Sequence, residues 1–182
     1  MELPPDEVAE RARRIRLLLT DCDGVLTDGS LYYATDGERV FEAVKVFHIH
    51  DGLGLQLARR AGLKVGIISG RTSLPLAERA RELMVDYLYQ GVEIKLDAYE
   101  QVRAAEGLRD EEIAYIGDDL PDLPLMRRAG LAIAVADAAT EVRQCAHVIT
   151  QRQGGRGAVR ETIELILKAQ EKWDALIGQY GE

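Results

Sequence analysis

The sequence predicts an α/β fold in which a mainly parallel sheet lies between two layers of helices. Short apolar runs alternate with helical patterns of about 10–15 residues, which indicates strand–helix–strand units. The runs LLL, VGII and IAV are apolar throughout, as is typical of strands buried on both faces. Polar motifs follow three of the predicted strands, at the sheet edge where ligands bind in such folds. We therefore expect a Rossmann-like, three-layer α/β/α architecture.

In chain order, the pattern predicts a helix after Pro4-Pro5 and then strands and helices in alternation. A hairpin follows the first strand, because residues 31–34 and 39–47 have strand character on either side of the turn sequence TDGE. The expected strands are 15–20, the two hairpin strands, 64–69, 87–89, 113–117, 131–135 and 147–149. The expected helices lie near 52–61, 74–84, 96–105, 120–128 and 158–168, with a short one before 147.

The length of 182 residues fits one domain, and no linker rich in proline, glycine or serine divides it. We take residues 1–182 as that domain, with the hairpin at about 30–47 and a glycine- and arginine-rich tail at about 151–182. The net charge of −8 argues against a nucleic-acid partner, which needs a basic patch. No apolar segment approaches the length of a membrane helix and no signal peptide is visible, so we expect a soluble, cytoplasmic protein.

Two aspartates, Asp21 and Asp23, follow the first predicted strand in the run DCDG, and Asp28 lies in the same loop. One interpretation is that they are turn or capping residues. The other is chemical: one carboxylate attacks phosphorus as a nucleophile and the second acts as general acid/base. Carboxylates that share a crevice raise each other's pKa unless a cation lies between them, so this interpretation also predicts a divalent metal ion.

A second acidic run, GDDLPD, follows another strand and contains Asp118, Asp119 and Asp122. Helix capping would account for one of these residues but does not need all three. Mg²⁺ prefers oxygen ligands, usually one or two carboxylates together with waters and substrate phosphate. We therefore expect this run and Asp21 to hold Mg²⁺, with at least one aspartate left for a supporting role.

Ser69 and Lys95 complete the candidate phosphate site. Ser69 and Gly70 end a strand just before a helix, where a hydroxyl and free N–H groups can hold a phosphate oxygen. An ordinary strand-to-helix turn is the alternative interpretation. Lys95 is a single lysine, but in a crevice rich in carboxylates it would neutralise the nucleophile and orient the phosphoryl group.

Two further features leave alternatives open. The tail sequence RQGGRGAVRE is either a connector into the last helix or a mobile arm whose arginines contact a carboxylate or phosphate. His48 and His50 alternate around Ile49, and we expect both on one face at a strand end, solvated rather than bound to a metal.

Taken together, DCDGVLTDG, IISGR, Lys95 and GDDLPD resemble the four signatures of the haloacid dehalogenase superfamily of phosphotransferases, in the order that the family shows. The resemblance implies a complete site. In this site Asp21 would be the nucleophile and Asp23 the acid/base. The phosphate would be bound by Ser69, Gly70 and Lys95. The Mg²⁺ ligands would be Asp21, Asp118, the backbone carbonyl of Asp23 and, as an outer ligand, Asp122.

A closer resemblance extends over nearly the whole chain, through DGVLTDGSLYY, FHIHDGLGL, YIGDDLPDLPLM, VADA and GGRGAVRE. These segments are similar to capless members of the superfamily that act on 3-deoxy-D-manno-octulosonate 8-phosphate in lipopolysaccharide precursor synthesis. The 48 positions from Asp21 to Ser69 and the 26 from Ser69 to Lys95 leave no room for a large cap domain. The implied activity is Mg²⁺-dependent release of phosphate from this eight-carbon sugar acid through an aspartyl-phosphate.

The same resemblance implies a homotetramer, with the hairpin packed between subunits and the glycine–arginine tail of one subunit covering a neighbour's site. Substrate contacts are expected from Thr27, His50, Arg71 and Arg156. Some relatives carry arginine in place of His50, and histidine would weaken a contact with the substrate carboxylate near neutral pH. Arg71 stands where phosphatases of the nine-carbon nonulosonate 9-phosphate have an acidic residue, which favours the eight-carbon acid.

Three alternative functions remain. The first is a phosphatase of the nine-carbon acid. The second is a signalling receiver domain, which also combines carboxylates, a hydroxyl and a lysine around Mg²⁺; the order of the motifs argues against it, because receivers place the phospho-accepting aspartate after a later strand. The third, an inactive scaffold, is disfavoured because the full set of site residues is present.

Overall fold

The computed structural model describes residues 2–180, so Met1, Gly181 and Glu182 of the expected domain and tail lie outside the described residues. The strands are β1 Leu17–Thr20, β2 Tyr32–Thr35, β3 Val40–Val44, β4 Lys64–Ile68, β5 Tyr87–Tyr89, β6 Ile113–Gly117, β7 Leu131–Ala134 and β8 Val148–Ile149. The helices are α1 Pro5–Arg14, α2 Ile49–Arg60, α3 Leu74–Leu83, α4 Lys95–Glu106, α5 Leu123–Met126, α6 Thr140–Cys145, α7 Ala158–Ala169 and α8 Trp173–Gly178.

Six strands form one parallel sheet in the order β5-β4-β1-β6-β7-β8, and β2 pairs with β3 as a separate antiparallel hairpin. Helices α1, α2 and α7 pack together, and α4, α5 and α6 form a second group, as two layers around a sheet require. The predicted α/β fold is therefore confirmed. Between β1 and α2 the described chain inserts only the hairpin and its connections, which is far smaller than a cap domain.

The register of the central strands positions the site. β1 lies between β4 and β6, with Thr20 opposite both Ile67 and Ile116. All of β1 is buried, which explains the apolar run of three leucines that precedes Thr20. Because the three strands are parallel and end at the same level, the residues that follow them share one edge of the sheet.

Two predicted elements differ from those in the structure. His48 and His50 do not lie on a strand: β3 ends at Val44, His48 caps α2, and His50 lies in its first turn, where its N–H donates to His48 Nδ1 at 3.3 Å. The helix expected at 120–128 is instead a 3-10 turn, Leu120–Asp122, followed by the short α5. Each of the two has a proline in its second position, Pro121 and Pro124. Helix α8 had no counterpart among the predicted elements.

The glycine- and arginine-rich segment is joined to the rest of this chain by a backbone hydrogen bond. The N–H of Gly155 donates to Val25 O at 2.8 Å, which holds the segment against the loop after β1. Helix α7 then buries Val159, Ile163 and Ile166 completely. Within the described chain the segment leads into α7, as the connector interpretation expects, and removal of everything after Thr150 would delete part of the core rather than a dispensable lid.

Candidate active site

Three carboxylates meet at the sheet edge where β1 and β6 end. Asp21 follows β1 directly, and its N–H donates to Ile116 O of the neighbouring strand at 3.1 Å. Asp118 follows β6, and Asp122 ends the 3-10 turn that comes next. One oxygen from each of these side chains lies within 4.8 Å of the other two. The structure thus brings Asp21 together with two aspartates that follow it by 97 and 101 positions in the sequence.

Lys95 supplies the positive charge of this cluster. It is the first residue of α4, and its ammonium lies 2.8 Å from Asp21 Oδ1 and 2.8 Å from Asp122 Oδ1. The side chain is buried, as a lysine can be only when it is paired. Lys95 therefore bridges two of the three carboxylates, and among residues 2–180 no cation pairs directly with Asp118.

Asp122 has a different environment from its two neighbours. Its Oδ1 accepts hydrogen bonds from Lys95 and from Tyr115 OH, the latter at 2.7 Å. Its Oδ2 accepts from the N–H groups of Asp118 and Asp119 at 3.0 and 3.2 Å. Through these hydrogen bonds Asp122 orients the loop and Lys95, and its role as an outer Mg²⁺ ligand stays a prediction.

Asp118 carries the uncompensated charge of the site. Its Oδ1 is buried and has no hydrogen-bond partner among residues 2–180. Burial and the charges of Asp21 and Asp122 raise the pKa of Asp118 to about 8. Burial, with the charge of Asp122, likewise raises the pKa of Asp21 to about 6, although Lys95 opposes the shift. An orphaned carboxylate oxygen beside a second buried carboxylate fits a hard divalent cation such as Mg²⁺.

Gly24 makes this close approach possible. Its φ is +86°, in the left-handed region that favours glycine. A Cβ at this position would lie 2.0 Å from Asp118 Oδ2, so any side chain would displace the carboxylate. The glycine of DCDG is thus required by the geometry of GDD, far away in the sequence.

Asp23 faces a separate set of charges. Its Oδ1 accepts a hydrogen bond from the ammonium of Lys45, and its Oδ2 lies 3.9 Å from Arg71 Nε. Arg71 also donates to Tyr33 OH of the hairpin at 3.2 Å. Lys45 was missed by the sequence-based prediction, since the hairpin separates it from Asp23 and no local pattern marks it.

The remaining predicted residues surround this edge less closely. Ser69 follows β4 and is buried; its N–H donates to Tyr89 O at 2.9 Å, and its hydroxyl accepts from the N–H of Arg71 at 3.2 Å. Gly70 is exposed beside it. These residues share the sheet edge with Asp21 because β4 and β1 are adjacent.

Thr27, Arg156 and His50 have contacts of their own. The Thr27 hydroxyl accepts from Gly29 N–H at 3.3 Å within the first loop. Arg156 lies 3.4 Å from Asp28 Oδ2, at the rim of the same loop. His50 is exposed and lines a groove of about 640 Å³ formed by α2, α7 and the segment that includes Arg152. The groove is lined by a set of residues separate from the carboxylate cluster, so substrate contact by His50 stays a prediction.

Comparison with known proteins gives consistent matches. Residues 79–163 match the haloacid dehalogenase-like hydrolase family. The chain is 44% identical to the 3-deoxy-D-manno-octulosonate 8-phosphate phosphatase of Yersinia pestis over 173 residues, which cover 95% of this chain and 90% of that protein. Identity with the enzyme of the same name from Escherichia coli K12 is 41%, with the same coverage of both chains.

Solved structures of similar proteins have the same fold as this chain. A probable phosphatase from Pseudomonas syringae superposes with a TM-score of 0.93 at 45% identity, covering 97% of this chain and 98% of that one. The 3-deoxy-D-manno-octulosonate 8-phosphate phosphatase of Moraxella catarrhalis, in complex with magnesium, phosphate and its sugar acid, superposes with a TM-score of 0.92 at 41% identity, covering 96% and 98%. Within residues 2–180, none of the helices combines the length and apolar character needed to cross a bilayer.

Proposed function

We infer that this chain hydrolyses 3-deoxy-D-manno-octulosonate 8-phosphate to the free eight-carbon acid and inorganic phosphate. The chain belongs to the haloacid dehalogenase-like hydrolases and, among them, to the phosphatases of this sugar-acid phosphate. One structural observation carries the chemistry: Asp21 is a buried carboxylate held by Lys95 beside the uncompensated Asp118. A phosphate monoester and a divalent cation together would balance this arrangement of charges.

Asp21 is the nucleophile in this proposal. One of its oxygens attacks phosphorus and forms an aspartyl-phosphate, while the bond from phosphorus to the sugar oxygen breaks. Asp23 gives its proton to the departing oxygen, which leaves as an alcohol. In the second half, Asp23 takes a proton from water as the water oxygen attacks the aspartyl-phosphate, and this restores Asp21 and releases inorganic phosphate.

The other residues bind and orient. Ser69, the N–H groups near Gly70, and Lys95 would hold the phosphate oxygens at the sheet edge. Asp21, Asp118 and the backbone carbonyl of Asp23 would hold Mg²⁺. When bound, Mg²⁺ supplies positive charge that offsets the phosphate and carboxylate oxygens. Asp122 keeps Lys95 and the Asp118 loop in place through its four hydrogen bonds.

Sugar selection would come from the rim of the site. Arg71 is the best supported contact, because it lies next to Asp23 and so near the alcohol that leaves. Arg156 and Thr27 flank the same loop, and both could meet the sugar. We propose that His50, from the groove that it lines in one subunit, contacts the carboxylate of a substrate bound in a neighbouring subunit. We place the product in lipopolysaccharide precursor synthesis.

We also propose that four chains assemble. The hairpin exposes Tyr32, Tyr33, Val40, Phe41 and Val44, an apolar surface that an isolated two-stranded hairpin would leave in water. Packing of hairpins between subunits would cover it. Light scattering on the purified protein tests this assembly, since a monomer mass would contradict it.

We assign the enzyme to the cytoplasm. Neither Cys22 nor Cys145 forms a disulfide, which fits a reducing compartment. A substrate that bears both a carboxylate and a phosphate does not cross membranes freely, so its consumer is expected where it is made. Cell fractionation with an antibody against the protein would test the assignment.

The decisive experiment measures phosphate release from the eight-carbon and nine-carbon acid phosphates, each with Mg²⁺ and with EDTA. We expect Mg²⁺-dependent turnover and a preference for the eight-carbon substrate. Asp21→Asn should abolish turnover and leave the thermal unfolding transition in place, whereas Asp174→Asn, at an exposed position of α8, should change neither. Lack of Mg²⁺-stimulated turnover of both substrates would refute the proposed function. Lasting phosphorylation by a small phosphodonor without turnover would favour a receiver domain instead.

A further inference from the structure

We propose that Lys45 is a positioning residue for Asp23: it fixes which oxygen of that carboxylate delivers the proton to the leaving alcohol. This inference rests on the proposed phosphatase function and extends it to a residue of the hairpin. The segment after β3 would then help to position the acid/base residue, in addition to any role in subunit contacts.

The burial of Lys45 is the first observation. Its side chain is 3% exposed, although it follows a strand whose neighbours are mostly exposed. A buried ammonium is costly unless it is paired. Lys45 has two partners, since it donates to Asp23 Oδ1 and lies 3.4 Å from Glu42 Oε1.

Glu42 in turn is anchored to the main domain. Its Oε2 accepts a hydrogen bond from the hydroxyl of Ser73, which is the N-cap residue of α3. Lys45 is therefore held from two sides, by the loop after β1 and, through Glu42, by the start of α3. This arrangement leaves the ammonium little freedom to move away from Asp23.

The consequence concerns the two oxygens of Asp23. Its side chain is 21% exposed and, without a partner, would rotate between several orientations. The bond from Lys45 occupies Oδ1. Oδ2 is then the oxygen that faces Arg71 and can carry the proton to the ester oxygen. Misplacement of a catalytic group by about 1 Å can cost on the order of 10²-fold in rate.

The test compares two leaving groups. A sugar alcohol must be protonated as it departs, whereas the p-nitrophenolate of p-nitrophenyl phosphate leaves as a stabilised anion. The quantity to measure is kcat/KM, because it reports the steps up to departure of the alcohol. For Lys45→Met we expect a loss of about 10–10²-fold on the sugar-acid phosphate and of less than about 3-fold on p-nitrophenyl phosphate.

Lys64→Met is the matched control, because Lys64 is a half-exposed lysine whose partners are Asp86 and Glu106, outside the site. It should leave both activities unchanged. Lys45→Arg, which keeps a cationic donor, should recover part of the lost activity on the sugar-acid phosphate. If Lys45→Met does not fold, as judged by circular dichroism, Lys45→Gln takes its place in the same comparison.

The outcomes separate the two proposals. If wild-type enzyme turns over the sugar-acid phosphate and Lys45→Met loses activity equally on both substrates, Lys45 contacts the phosphate or supports the fold, and the positioning role is wrong. Unchanged activity on both substrates would also overturn it. A wild-type enzyme inactive on the sugar-acid phosphate would overturn the proposed function itself, and this inference with it.

Discussion

Replacement of Asp118 by asparagine should stabilise the metal-free protein while it destroys the enzyme. Oxygens of Asp21, Asp118 and Asp122 lie within 4.8 Å of one another. At an effective dielectric constant of about 20, two unit charges at that separation repel by about 3 kcal/mol. Lys95 offsets part of this repulsion and partial exposure of Asp118 screens more of it. We therefore expect Asp118→Asn to raise the free energy of unfolding by about 2 kcal/mol in EDTA above about pH 8, where Asp118 is ionised.

The sign of the pH dependence follows from the raised pKa of Asp118, about 8 against 3.8 for an unperturbed aspartate. The folded wild type keeps a proton that the unfolded chain releases. The contribution of Asp118 to stability is therefore greatest below about pH 4 and is lost as the pH rises to about 8. Asparagine has no such group, so the advantage of the variant should be near zero at low pH and largest above about pH 8.

Urea denaturation at low and high pH, each with EDTA and with Mg²⁺, measures these differences. Mg²⁺ should stabilise the wild type most at high pH, where the metal no longer competes with a proton, and should have little effect on Asp118→Asn. The matched control is Asp119→Asn, a neighbouring exposed cap residue that can still accept the N–H of Leu120. If Asp118→Asn is less stable than the wild type in EDTA at high pH, the inference of uncompensated charge is wrong.

Three further predictions follow from single contacts. Gly24→Ala should strain the backbone by about 1–3 kcal/mol and displace the Asp118 carboxylate. Isothermal titration calorimetry should therefore show weakened Mg²⁺ binding. Unchanged binding would contradict the close approach of Gly24 to Asp118. Asp51→Ala should lower the free energy of unfolding by about 2–4 kcal/mol, because it leaves two N–H groups at the start of α7 without their acceptor; a urea midpoint equal to that of the wild type would refute this. Phe41→Asp on the hairpin should reduce the mass measured by sedimentation to that of a smaller assembly, and an unchanged mass would place the interface elsewhere.

The fold was largely predictable because its sheet is buried on both faces. A short, continuous apolar run such as the one in β1 is typical of a strand that helices cover on both sides. β5 and β6 begin and end where the sequence predicted. The start of α2 was not predicted, because the alternation of His48 and His50 resembles a strand and only the tertiary structure shows that His48 caps a helix.

The site was predictable wherever one short motif contains its residues. Asp21 and Asp118 lie in such motifs and the parallel sheet brings them together, whereas Lys95 is a single lysine that was assigned through the family resemblance. Lys45 was not predictable, because its partner Asp23 lies 22 residues earlier and the two meet only when the hairpin folds back. The position of the glycine-rich segment was also beyond sequence reasoning, since it depends on the hydrogen bonds that Asp51 accepts from the start of α7.

The two aspartates of DCDG illustrate why the motif alone does not assign roles. They are separated by a single residue, yet their environments differ. Asp21 is buried beside Asp118 with one shared lysine, so it has excess negative charge around it and is placed to share a metal ion. Asp23 is partly exposed between Lys45 and Arg71, so cations orient it from both sides. Two carboxylates in different electrostatic surroundings can perform different tasks, and here the strand edge provides one environment and the hairpin provides the other. In the proposed mechanism, the division between nucleophile and acid/base therefore follows from the folded chain, and it depends on a hairpin that lies outside the motif.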